Sequence, residues 1–139
     1  MSRSENNVKA VRSCLEEAAQ GNFDALKAVV STDYVLHPAG IRGLEGLVEM
    51  VETYRRGLAN LCITIDQQFT EGDFVATRFT IRGRHDGEVM GTRPTGREVE
   101  FTGLTISRCR DGRIMEEWEL VDTLELLRQV GALPEMAQA

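Results

Sequence analysis

The hydrophobic period of the chain changes near Asn60, and this change constrains the fold more than any other feature. Before it, apolar residues recur every three or four positions, which is the period of an amphipathic helix. After it, apolar and polar residues alternate, which is the period of a strand with one buried face. Helices followed by consecutive strands predict an α+β fold, with the N-terminal helices packed on one face of a curved antiparallel sheet.

The predicted helices of the first part cover residues 4–20, 24–30 and 44–58. Tyr54 lies on the apolar face of the third. Proline and glycine interrupt the pattern between the second and third helices, so residues 31–43 are predicted to form a loop or a short strand. The second part contains predicted strands over residues 61–69, 74–85, 99–108 and 113–121.

Turn and cap residues support these boundaries. Asp111-Gly112 is typical of a tight hairpin between the last two strands. Asp122 is a plausible N-cap for a final helix that ends at Gly131. The whole chain, residues 1–139, is therefore predicted to form one domain, with a frayed tail from about residue 133.

Composition excludes several classes of protein. The chain has 139 residues, of which 42% are hydrophobic and 27% charged, as in an ordinary globular domain. Its net charge is −6 and it has no Lys/Arg cluster, so nucleic acid is not an expected partner. No run approaches the roughly 18 apolar residues of a membrane helix, and the N-terminus lacks an apolar signal core. We therefore predict no membrane partner and a cytoplasmic location.

The stretch around Trp118 is the most informative for chemistry. On a strand, Trp118 and Leu120 share one face, while Glu117 and Glu119 share the other. If the Trp/Leu face is covered by a partner, the two carboxylates point toward the helices, where burial moves their pKa toward the range of an acid/base. Three alternatives remain: Glu117 lies early on the strand and is solvated, Glu119 is paired with an arginine, or the strand has the opposite parity and both carboxylates meet water.

The two histidines are further candidates. His37 precedes Pro38, which restricts His37 to extended geometry and fixes where its imidazole points. It is either an acid/base or hydrogen-bond donor facing a pocket, or a structural histidine bonded to backbone. His85 closes a strand, where it either rims the pocket or meets solvent. No spacing of these histidines matches a metal-binding motif, so no metal is predicted.

The strand before Trp118 fits a pocket in the same place. Gly103 and Thr105 share a face, and a glycine inside a strand often marks the close approach of another group. Gly103 leaves room for a ligand, allows the sheet to bend, or does both, and Thr105 is its polar neighbour. The opposite face is too apolar for open water, so a homodimer through it is predicted. That face carries Leu104, Ile106, Trp118 and Leu120.

Three motifs resemble those of the SnoaL-like polyketide cyclases of the NTF2-like superfamily, which includes the ketosteroid-isomerase-like proteins. They are Tyr34-Val35-Leu36-His37-Pro38, the segment from Gly83 to Gly96 with Pro94-Thr95-Gly96, and the segment from Asp111 to Asp122 with Glu117-Trp118-Glu119. The resemblance covers roughly residues 7–133. It implies a cone-shaped, commonly dimeric fold with a deep apolar cavity between sheet and helices.

The resemblance also implies a reaction. Cyclases of this family close a ring of a polyketide by intramolecular aldol condensation, without a metal or organic cofactor. The acid/base carboxylate of the family falls on Glu119, and a pocket histidine of the family aligns near Thr105. Because threonine cannot carry the same proton, His37 is expected to substitute from across the cavity, and His37 and Tyr34 to orient the substrate oxygens. Tyr54, His85, Gly103, Thr105 and Glu117 are expected to contact an apolar substrate.

Other functions stay open at this point. The fold also hosts partners in polyketide hydroxylation, isomerases and small-molecule binders without catalysis, because a fold does not fix a function. A hydroxylation partner would depend on a second protein. A binder would keep its function after Glu119→Gln.

Overall fold

The computed structural model describes residues 2–133 and contains the helices and strands that define an α+β domain. Apart from Leu133, the tail predicted to fray lies outside the described residues. In chain order the elements are α1 Arg3–Ala19, a 3₁₀ helix Phe23–Ala28, β1 Val30–His37, β2 Ile41–Arg42, α2 Gly43–Gly57, β3 Leu58–Glu71, β4 Phe74–His85, β5 Glu98–Arg110, β6 Arg113–Val121 and α3 Thr123–Gln129.

The predicted elements from the third helix onward are confirmed, including the N-cap of α3, where the Asp122 side chain accepts a hydrogen bond from the Glu125 backbone N–H. One earlier segment differs, and a second takes one of its two predicted forms. The second helix is a short 3₁₀ helix, and Val30 begins a strand. Most of residues 31–43 are strand, because β1 pairs with β6 on one side and with β2 on the other. These partners are distant in sequence or very short, so local periodicity does not reveal them.

Within residues 2–133 the strands form one sheet in the order β2-β1-β6-β5-β4-β3. All neighbouring pairs are antiparallel except β1 and β6, which are parallel. The sheet, which was predicted to be antiparallel, is therefore a mixed sheet because of this one parallel pair. β2 and β3 are edge strands, and irregular pairing in β3 near Ala59 and Asp66 bends the long strand and curls the sheet.

Helices α1 and α2 cover the concave face of the sheet. The amphipathic stripe of α1 buries Ala10, Val11 and Cys14 against it. The inner faces of β4 and β5 supply Phe79 and Phe101, which are fully buried. No helix within residues 2–133 is both long and apolar enough to cross a bilayer.

A β-bulge at Met115 decides which face of β6 carries the carboxylates. Cys109 pairs with Ile114, whereas the preceding residue Arg108 pairs with Glu116, so Met115 is an extra residue on β6. The bulge reverses the alternation. As a result Ile114 and Glu117 are both buried, at 0% and 5% exposure, although an odd number of positions separates them.

Candidate active site

An apolar cavity of about 70 Å³, called here the inner cavity, lies between the sheet and the two long helices. Its walls come from α1, α2, β3, β4 and β6. Most of its lining is aliphatic or aromatic, and two carboxylates interrupt it. The lining includes Cys14, Leu47, Met50, Tyr54, Phe79, Glu117 and Glu119.

Glu119 is the carboxylate on which the site depends. It lies on the inner face of β6, where the Thr105 hydroxyl donates a hydrogen bond of 3.1 Å to its Oε2. Burial raises the pKa of Glu119 to about 7, and the negative charge of Glu117 adds to the rise, while the Thr105 bond opposes it. A carboxyl group with this pKa is present in both protonation states near neutral pH.

Glu117 is buried deeper and is held by two hydroxyl groups. The Tyr34 hydroxyl donates to its Oε1 at 2.6 Å, and the Ser107 hydroxyl donates to its Oε2 at 2.5 Å. Burial raises the pKa of Glu117, and both hydrogen bonds act in the opposite direction. Burial and the Glu117 charge also raise the pKa of Tyr34, so its phenol remains a donor. Tyr34 therefore holds the Glu117 carboxyl group in place through this hydrogen bond.

Tyr54 lines the inner cavity. Its side chain is partly buried on α2. Burial raises the pKa of its phenol, and the negative charge of Glu119 raises it further. The phenol thus stays protonated and lies within the electrostatic reach of Glu119.

The structure corrects the expected position of His37. Because Tyr34 and Leu36 face inward on β1, His37 lies on the outer face, where its ring stacks on Trp118 with 5.4 Å between ring centroids. Its Nε2 is 2.6 Å from Glu116 Oε2. Arg108 donates a bond of 3.2 Å to the other oxygen of Glu116. His37 therefore faces away from the inner cavity.

Neither His85 nor Gly103 is among the residues that line the inner cavity. Each contacts another part of the protein instead. His85 is fully buried, and its Nδ1 accepts a hydrogen bond from the Thr95 backbone N–H and lies 2.9 Å from Thr95 Oγ1, which fixes the loop after β4. A Cβ atom at Gly103 would lie 2.5 Å from the ring of Phe79. The space above Gly103 thus holds an aromatic side chain of the protein, which corrects the expectation of room for a ligand there.

The site contains residues that the sequence did not single out. Ser107 shares a strand face with Thr105, so the alternation of β5 could have identified it as a neighbour of the carboxylates. Met50 and Phe79 carry no such signal, because apolar residues of a cavity wall and of a core look the same in a sequence. No group of three His, Cys, Asp or Glu side chains in residues 2–133 is placed to hold a metal ion.

A curled sheet covered by helices, with an apolar cavity between them, defines an NTF2-like fold. The cavity holds a carboxyl group whose pKa is about 7. The sequence profile that matches residues 9–130 is that of the SnoaL-like polyketide cyclases. The match spans most of the chain, and the protein belongs to this family.

Relatives of the chain agree with this assignment. It is 24% identical to aklanonic acid methyl ester cyclase DnrD of Streptomyces peucetius, over 89% of this chain and 90% of that protein. The solved structure of IdmH from Streptomyces antibioticus, a polyketide cyclase candidate, is 32% identical with a TM-score of 0.82, covering 90% of this chain and 98% of IdmH. AclR of Streptomyces galilaeus, a hydroxylase candidate, is 26% identical with a TM-score of 0.78, over 95% and 87% of the two chains.

Proposed function

We propose that this protein catalyses an intramolecular aldol ring closure on an apolar, polyketide-like small molecule, with Glu119 as the acid/base. The observation that carries the proposal is the carboxyl group of Glu119 in an apolar cavity, with a pKa raised to about 7. The family and the cyclase DnrD support a cyclase-type role. The chemistry we propose uses the protein's own side chains and needs no metal or organic cofactor.

The proton transfers balance within one turnover. The Glu119 carboxylate removes a proton from a carbon between two carbonyl groups, and the charge is delocalised over the substrate as an enolate. The enolate carbon then attacks a second carbonyl carbon of the same molecule, forming the C–C bond. Protonated Glu119 returns the proton to the resulting alkoxide. A base whose pKa lies near the working pH is suited to both steps, and such catalysis contributes roughly 10²–10⁴-fold.

Glu117 tunes Glu119 in this proposal. Its two hydroxyl donors favour the ionised form, and a negative charge two residues away on the same strand face disfavours ionisation of Glu119. Burial raises the pKa of Glu117 despite these two hydrogen bonds, so ionisation of either carboxyl group disfavours ionisation of the other.

Thr105 has a positioning role, at the place where the family resemblance expects a histidine. Its hydroxyl orients the Glu119 carboxylate but does not titrate near neutral pH. Because His37 lies on the outer face, the mechanism we propose does not use it, and Tyr54 is the polar side chain available to bind a substrate oxygen.

Two assays test the proposal. Ring closure of aklanonic acid methyl ester, the substrate named for DnrD, is followed by mass spectrometry and absorbance. Proton abstraction from 5-nitrobenzisoxazole, which releases a coloured phenolate, isolates the general-base step and gives its pH profile. We expect a rate that rises with an inflection near pH 7, and the loss of this rate in Glu119→Gln.

Glu98→Gln is the matched control, because Glu98 is an exposed glutamate at the start of β5. It removes the same charge outside the cavity and should leave both rates unchanged. Equal rates for the wild type and Glu119→Gln in both assays would refute the acid/base role and leave a small-molecule binder.

The likeness to AclR favours a second candidate, a partner in polyketide hydroxylation. This function would require a reductase that supplies the reduced substrate. Turnover that appears only when the reductase is added, with oxygen incorporated into the product, would establish it in place of ring closure.

We also propose a homodimer that forms through the outer face of the sheet, and a cytoplasmic location. Leu104, Ile106, Trp118 and Leu120 are 57%, 48%, 40% and 70% exposed, and together they form a contiguous apolar patch on β5 and β6. A patch of this kind favours burial against a second copy. Cell fractionation with immunodetection tests the location.

A further inference from the structure

A second cavity adjoins the inner one and is open to solvent. We call it the vestibule; its volume is about 420 Å³. It lies between helix α2 and the turn over residues 86–92. Its lining includes Glu49, Met50, Thr53, Tyr54, Val89 and Met90.

The far wall of the vestibule is fixed to the end of α2. The Gly87 backbone N–H donates a hydrogen bond of 3.0 Å to the Gly57 carbonyl, and Val89 and Thr92 pair with each other through two backbone bonds. A Cβ atom at Gly57 would lie 2.5 Å from Val89 Cγ2, so the turn is packed directly on the helix. The vestibule is therefore a formed cavity with defined walls.

Met50 and Tyr54 are the side chains, within residues 2–133, that line both cavities. They lie four residues apart on α2 and so occupy the same face on successive turns. We call this pair the waist. Both side chains are partly buried. Methionine is unbranched and flexible, so Met50 can change its position at a low energetic cost.

The inner cavity alone is too small for a substrate that closes a ring. Its volume is about 70 Å³, whereas a cavity of about 150 Å³ accommodates a single benzene. A molecule with two reacting carbonyl groups and the chain between them is larger than benzene. A substrate that reaches Glu119 must therefore extend past Met50 and Tyr54.

We propose that the substrate is an elongated, largely apolar molecule that occupies both cavities at once, and that Met50 and Tyr54 select it by its width at the waist. This inference rests on the proposed function, since it takes Glu119 as the reacting end. The charged side chains of the vestibule wall are Glu49 and Glu88, which accept hydrogen bonds and repel anions. The outer end of the substrate is therefore not anionic and carries hydrogen-bond donors such as hydroxyl groups.

The test uses two neutral probes, trans-4,4′-dihydroxystilbene and phenol, with the protein labelled with ¹³C at its methionine methyl groups. Met50 reports on the waist and Met90 on the vestibule, while Met115 in the β6 bulge is the internal control. We expect the stilbene to shift the Met50 and Met90 signals together at one saturable affinity, with Met115 unchanged. Phenol is too large for the inner cavity alone, so it should bind in the vestibule and shift Met90 at a weaker affinity than the stilbene. A stilbene that saturates the protein but moves only one of the two signals overturns the proposal.

A pair of variants tests the waist itself. Met50→Ala should accelerate stilbene binding about tenfold, as expected if a barrier of ~1.4 kcal/mol is removed. Val48→Ala lies on the same helix but lines a separate surface groove, so it should bind at the wild-type rate. Binding rates are measured by stopped-flow fluorescence, with folding checked by circular dichroism. Equal rates for all three proteins would refute the proposal that the waist selects the substrate.

These readouts measure binding, so they separate this inference from the proposed function. Glu119→Gln should keep both methionine shifts even if Glu119 proves to have no catalytic role. Conversely, if the protein closes rings but binds the stilbene in one cavity alone, the proposed function stands. The proposal that the substrate occupies both cavities is then refuted.

Discussion

Replacement of Glu119 by glutamine should stabilise the protein, and the gain should depend on pH. In the folded protein Glu119 keeps its proton up to a pKa of about 7, whereas an unperturbed glutamate loses it near 4.5. Between these values the folded state binds more protons than the unfolded state, so stability falls as pH rises. Glutamine has nearly the same shape, can still accept the Thr105 hydrogen bond and carries no charge at any of these pH values.

The magnitude follows from the size of the shift. Each pKa unit corresponds to about 1.4 kcal/mol, so a rise from 4.5 to about 7 costs the wild type about 3 kcal/mol above pH 7. Because Glu119 is only partly buried, solvent screening makes this an upper value. Glu117 is present in both proteins, so most of its own contribution cancels. The stability of the variant should match that of the wild type below pH 4.5 and exceed it increasingly up to about pH 7.

Urea unfolding monitored by circular dichroism between pH 4.5 and 8 measures the difference. We expect the free energy of unfolding of Glu119→Gln minus that of the wild type to rise by up to about 1.4 kcal/mol per pH unit within this window, then to level off. Glu98→Gln should show no such slope, because Glu98 is exposed. A difference that is flat with pH, or a variant less stable than the wild type at pH 8, would show that burial does not perturb Glu119 as argued.

Three further predictions test other parts of the structure. Gly103→Ala should lower the free energy of unfolding by about 1–3 kcal/mol in urea titration, because the new methyl group would lie 2.5 Å from the Phe79 ring; wild-type stability would show that the ring yields. Leu120→Glu should shift the protein to a monomer in light scattering, whereas Leu124→Glu, at a leucine of similar exposure outside the patch, should not; a Leu120→Glu protein that remains dimeric excludes this interface. His37→Asn should retain the 5-nitrobenzisoxazole rate, since His37 faces outward; a large loss would restore a catalytic role for it.

The sequence alone predicted those features that depend on local pattern. Alternation over residues 74–85 coincides with β4, and the Asp122 cap begins α3. Glu117 and Glu119 were predicted to share one face of a strand, because residues two apart on a strand point to the same side. Locally encoded periodicity and capping suffice for such predictions, because they involve neighbouring residues only.

Tertiary structure decided which face that is. Counted from the buried Ile114 along a regular strand, Glu117 and Glu119 would lie on the solvent side; the bulge at Met115 brings them inside. The bulge is a property of the pairing with β5, and Arg110 to Ile114 contain no local signal for it. A one-residue change in alternation therefore determines whether the protein has acidic side chains in its cavity.

Long-range pairing likewise decided the surroundings of each candidate. The parallel pairing of β1 with β6 places Tyr34 behind Glu117 and His37 beside Glu116 and Trp118, on opposite faces of the same strand. The sequence alone places two glutamates two residues apart on one strand. The partners of each side chain, and hence its pKa, follow from contacts between segments about 80 residues apart. Local sequence cannot encode those contacts, because they form only when β1 and β6 pair in the folded sheet.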